Sequence, residues 1–82
     1  MMYRSDGQIF RADTAADLVR KLHEVSLATA EDDWAWMEQT AKRTWEVTGV
    51  PIRFGTPEEF ISDMTKAGIL KEEAQGEKED RS

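Results

Sequence analysis

Tyr3-Arg4-Ser5-Asp6-Gly7-Gln8-Ile9-Phe10 is the stretch that decides the fold class, because it places the two residue types that tolerate positive φ between two runs able to pair as strands. With Asp6-Gly7 as a two-residue loop, Ser5 faces Gln8, Arg4 faces Ile9, Tyr3 faces Phe10 and Met2 faces Arg11. The Tyr3/Phe10 pair is then an aromatic cross-strand contact. A two-stranded ribbon is marginal by itself, so this one must lie on an apolar surface built by the rest of the chain.

Outward from the ribbon, three helices are predicted. Thr14 opens the first as N-cap with Asp17 at N3, and Ala15, Leu18, Val19, Leu22, Val25 and Ser26 share its inward face, up to about Leu27. Thr29 is the expected cap of the second, with Glu31-Asp32-Asp33 in its first turn, Thr48 near its end and Gly49 beyond. At 3.6 residues per turn, Trp34, Met37, Ala41, Trp45 and Thr48 lie within about 60° of Trp34, and this stripe is read as the core face. Thr56-Pro57-Glu58-Glu59 opens the third helix with an N-cap, a proline at N1 and a capping box; Phe60, Ile61, Met64 and Ala67 face inward and Gly68 ends it. Between the last two helices, Val50-Pro51-Ile52-Arg53-Phe54 suits an edge strand that could add to the ribbon.

The expected architecture is therefore α+β, a ββααβα domain over residues 1–70 with three helices packed on a short antiparallel sheet. Residues 71–82 carry no large apolar side chain and five acids, and are read as a disordered charged tail.

Composition narrows the function. The chain has 82 residues with 11 Lys or Arg against 17 Asp or Glu, a net charge of −6, which opposes direct binding to nucleic acid. Zero Cys excludes disulfides, thiol catalysis and thiolate zinc sites, and points to the cytoplasm. No run is long and apolar enough to span a membrane, and Met1-Met2-Tyr3-Arg4 lacks the apolar stretch of a signal peptide.

No enzyme constellation is legible. His23 is the one imidazole, set at the border of the first helix's apolar face without a partner in its own helix, and it is read as a boundary histidine. Glu31-Asp32-Asp33 lacks the alternating spacing and turn glycine of a hard-cation loop, and the glycines are too scattered for a phosphate loop. No cofactor or metal is expected. Arg4, Arg11, Arg20 and Lys21 form a small basic area beside the ribbon.

Trp36 is the residue out of pattern. It lies across the second helix from the predicted core stripe, beside Arg43 and Val47, so either another element covers it or it is an exposed anchor. In the second case Trp36, Val47, Thr40, Arg43, Asp32 and Asp33 are the candidate partner-binding residues.

Two fragments, Tyr3 to Asp13 running into Leu18-Val19, and Thr48-Gly49-Val50-Pro51-Ile52-Arg53 followed by Thr56-Pro57-Glu58-Glu59-Phe60, resemble the small acidic proteins encoded by phages and other mobile elements. Some proteins of that kind are anti-CRISPR inhibitors, which bind a Cas protein and block its nucleic-acid or partner surface. The resemblance implies a non-enzymatic inhibitor or regulator whose partner is a basic, nucleic-acid-associated protein, and it assigns no residue a role. A homo-oligomeric accessory protein, dimerising through the Trp36/Val47 face, is the alternative.

Overall fold

A computed structural model describes residues 1–26 and 30–73. Its elements are β1 (Met2–Ser5), β2 (Gln8–Arg11), α1 (Ala15–Val25), α2 (Asp33–Thr48), α3 (Pro57–Lys66) and β3 (Lys71–Glu72). The fold is α+β, with three helices and one three-stranded antiparallel sheet in the order β2-β1-β3.

The hairpin has the expected register throughout, from Ser5 opposite Gln8 to Met2 opposite Arg11, with Asp6 at φ 52° and Gly7 at φ 78°. Both residues are left-handed, as a type I′ turn requires. The ladder extends by one more pair, since the Ala12 N–H donates to the Met1 carbonyl at 3.0 Å and the Met1 amine to the Ala12 carbonyl at 2.8 Å.

The third strand corrects the sequence reading. Val50 to Phe54 forms no strand, and β1 pairs instead with Lys71 and Glu72, residues whose composition reads as tail, so the element order is ββαααβ. The cause lies at the end of α3. Gly68, at φ 83°, turns the chain in a Schellman arrangement, with the Ile69 N–H on the Met64 carbonyl (3.1 Å) and the Gly68 N–H on the Thr65 carbonyl (3.1 Å). Leu70 drops into the core, and the next residues meet the free edge of β1; the Glu73 N–H then donates to the Met2 carbonyl at 2.8 Å. Residues 74–82 of the expected tail lie outside the described residues.

Val50 to Phe54 is held by side chains rather than by a ladder. Its alternation is real, because Ile52 is buried and Val50 and Phe54 pack against the core. The Arg53 N–H, however, donates to the Asp63 carboxylate on α3 at 2.9 Å, where a strand would have sought a backbone carbonyl.

The helix caps follow residue chemistry. Thr14 and Thr56 accept from the N–H groups of Asp17 and Glu59. The Glu59 carboxylate turns to Arg53 (3.4 Å) instead of completing the box. Asp32, not Thr29, caps α2, taking the Ala35 N–H at 2.8 Å; Thr29 and Leu27 lie outside the described residues.

The core joins the inner face of the hairpin, at Phe10, to all three helices, with Phe60, Leu18 and Val19 deepest. On α1 the predicted inward face holds for Ala15, Leu18, Val19 and Leu22, but Val25 is exposed. No helix among the described residues is long and apolar enough to cross a membrane.

Candidate functional site

Helix α2 is rotated from the position its sequence stripe suggested. Trp36, Met37, Ala41 and Thr44 are buried, whereas Trp34 is 52% and Trp45 54% exposed. The inward direction therefore lies between Trp36 and Ala41 rather than at Trp34. Trp36 is 7% exposed, stacked on the His23 ring at 5.7 Å and edge-on to Phe60 at 5.6 Å. Contacts from α1 and α3 decide the rotation: both contribute rings to Trp36. The Thr44 hydroxyl, carried inward by the same turn, donates to the Met64 sulfur at 3.6 Å.

The predicted partner-binding set does not form one surface. Trp36 is interior, and Thr40 is half-buried beside it in a cavity of about 250 Å³ that also reaches the hairpin turn. Asp32 is the helix cap, and Asp33 sits with its Oδ1 3.0 Å from His23 Nδ1, tying α2 to α1. Arg43 and Val47 are exposed, beyond the stretch of α2 that carries Trp36's ring contacts. His23 thus has the carboxylate partner that its own helix lacked, and its ring is wedged between that carboxylate and Trp36.

What the rotation leaves outside is an aromatic ridge. Trp34 meets Phe54 edge-on at 5.4 Å, and Phe54 in turn lines a shallow groove of about 310 Å³ with Trp45, Pro51 and Ile52. Trp34 and Trp45 are eleven residues apart on one side of α2, roughly 16 Å along its axis. The groove's rim carries Lys42 and Glu46, and Lys42 pairs with Glu38 one turn back at 3.7 Å. Exposed Glu31 and Asp32 stand at the approach to Trp34.

The loop half of the ridge is locked from behind. Asp63, 6% exposed, accepts three bonds from Arg53: the backbone N–H and Nε at 2.9 Å and Nη2 at 3.0 Å. These bonds, led by the guanidinium and then the backbone N–H, pull the Asp63 carboxyl down to about 2. Phe54 follows Arg53 directly and so is held where it meets Trp34. Sequence reasoning recognised Trp34 and Trp45 but assigned both to the core; the alternation of Ile52 and Phe54 was the only hint of Phe54's place.

Among the described residues, no group of three or more His, Asp or Glu side chains is arranged to hold a metal ion. Comparison with protein-family models, curated proteins and solved structures gives no match to this chain.

Proposed function

We propose that the chain is a non-enzymatic, cytoplasmic protein-binding module that docks on a basic, nucleic-acid-associated partner through Trp34, Phe54 and Trp45. The observation that carries this is the pair of half-exposed tryptophans joined by Phe54 on an acid-bordered face of α2. Tryptophan supplies more binding energy per residue than almost any other side chain, and a helix that exposes two on one side keeps that energy for a partner. Four acids, Glu31, Asp32, Glu38 and Glu46, lie on or beside this stretch; of the cations near it, Lys42 is paired with Glu38 and Arg53 with Asp63 and Glu59, and Arg43 lies across α2 from Trp34 and Trp45. A basic channel built for nucleic acid is the complementary surface, and the attraction speeds encounter. An inhibitor of the anti-CRISPR kind, acting on a Cas effector, is the specific form of this reading.

The test is DNA cleavage by purified Cas effectors with the chain titrated in. The parent should inhibit, and Trp34→Ala/Trp45→Ala, with its thermal melt retained, should inhibit about 30-fold less well, the equivalent of about 2 kcal/mol at an interface anchor. Equal potency of the two proteins removes the ridge as the docking face, and unaffected cleavage removes the Cas effector as partner. A mass that rises with the chain's own concentration, and falls back in the double variant, would replace this reading with a homodimer built on the same ridge.

A further inference from the structure

A second, differently charged surface lies between β2 and α1 and shares no residue with the aromatic ridge. In the hairpin, pairs that exchange backbone bonds alternate with pairs that do not, and the Met1/Ala12 bonds set the phase. Tyr3/Phe10 and Ser5/Gln8 then bond across the ribbon, while Met2 and Arg4 turn their backbone groups to β3 and Ile9 and Arg11 turn theirs away from the sheet. The Glu73 bond to the Met2 carbonyl agrees with this phase. The Arg11 carbonyl takes the Lys21 ammonium of α1, but the N–H and carbonyl of Ile9 and the N–H of Arg11 have no partner among the described residues.

The two ends of the sheet differ. The β3 edge is two residues long and both are charged, which blunts it against pairing. The β2 edge instead opens on a groove of about 690 Å³ between β2 and α1, where Ile9 (48% exposed) and Val25 (53% exposed) stand among Arg11 and Lys21, with Glu24 the one acid in the lining. Lys21 also pairs with Asp17 at 3.5 Å, and with Arg20 on the same turn the three cations Arg11, Arg20 and Lys21 stand against Asp17 and Glu24, a local reversal of sign in a chain of net charge −6.

We propose that the β2 edge is a peptide-binding site that takes an extended acidic segment of another protein as an added strand. Main-chain groups two residues apart, at Ile9 and Arg11, match the repeat of an extended backbone. Apolar side chains of the segment would meet Ile9 and Val25, and its carboxylates Arg11 and Lys21. This site is separate from the aromatic ridge and stands or falls independently of it.

The probe is a fluorescein-labelled peptide of four Glu-Val repeats, with four Lys-Val repeats as control, added to the isotopically labelled full chain. The acidic peptide should bind, and the Ile9 and Arg11 amides should shift and exchange at least tenfold more slowly. Lys21→Glu should weaken binding at least tenfold, and Ile9→Pro, which removes the outward N–H together with the Ile9 side chain, should abolish it while Ile9→Ala, which keeps the N–H, only weakens it. Should Ile9→Pro unfold the hairpin, the same peptide N-methylated at alternate residues tests the added-strand bonds without altering the chain, and it should not bind. The proposal is overturned by absence of binding, by equal binding of the Lys-Val control, or by amide changes centred on α2. Displacement of the peptide by a thymidine decamer would assign the cations to phosphates instead. Protection of Ile9 and Arg11 in the chain alone, rising with its concentration, would assign the edge to a second copy.

Discussion

Trp36 and Trp45 share a helix but not an environment, and their truncation should separate cleanly. Trp36 is enclosed by His23 and Phe60, so Trp36→Ala removes a large ring from a packed core and should cost about 3–5 kcal/mol. Trp45 has more than half its surface in solvent, so Trp45→Ala should cost no more than about 1 kcal/mol. Urea unfolding of the two variants beside the parent checks this, and a larger loss at Trp45 would restore the stripe read from the sequence as the core face. The Asp63 carboxylate makes a second single-residue case. Its folded value is lowered to about 2, so its contribution is complete above the ordinary aspartate range near 4 and is lost as pH falls from there through 2. Asp63→Asn should therefore destabilise the chain by about 1–3 kcal/mol at pH 7 and flatten the acid limb of stability between about pH 4 and pH 2. Melts at a series of pH values read both effects, and an unchanged acid limb would show that another carboxylate sets it.

At the scale of elements, β3 is the piece whose worth is easiest to measure. Ending the chain at Leu70 removes the strand on β1, the Glu73 bond to Met2 and the exposed Arg4–Glu73 pair. Each net backbone bond is worth about 1 kcal/mol and an exposed ion pair little. The loss should be about 1–2 kcal/mol, a fall in Tm of at least about 4 °C for a chain of this size. Ending it at Glu73 removes only residues 74–82, whose largest apolar side chain is an alanine, and should leave Tm within about 2 °C. Equal melting of the two truncations would mean that β3 adds nothing to the sheet. The tie between α1 and α2 is of a similar kind: His23 joins the helices through its 3.0 Å contact with Asp33 and its stack on Trp36.

For the whole molecule, the distribution of charge matters more than its sum. Five acids, Glu31, Asp32, Asp33, Glu38 and Glu46, lie along and before α2, while the cations Arg4, Arg11, Lys21 and Lys71 lie on the sheet and the neighbouring turn of α1, where Glu73 pairs with Arg4 and Asp17 with Lys21. A partner steered to the ridge should associate more slowly when Glu38 and Glu46 are both changed to Lys, by about tenfold at low salt, with the difference closing as salt is raised. Association rates of both proteins with an effector that the parent inhibits, measured across salt concentrations, test this. Rates that do not differ at any salt concentration would place the contact elsewhere.

Local chemistry was enough for the hairpin, its register, the Thr14 and Thr56 caps and the turn at Gly68, because each rests on residues within a few positions of one another. The inward face of α1 was legible for most of its length, since its apolar residues leave only one side to bury. Helix α2 was ambiguous because it has tryptophans on two sides, and periodicity alone ranks Trp34 and Trp45 above Trp36. Only the rings that α1 and α3 bring to Trp36 decided which side turned inward, and that choice placed the exposed aromatic ridge. The third strand was settled in the same way. Val50 to Phe54 and Lys71 to Glu72 were both available to β1, and the Arg53–Asp63 bonds held the first to α3 while the turn after α3 delivered the second. Pairings between residues distant in sequence depend on which contacts close together in space, and no spacing along the chain encodes that.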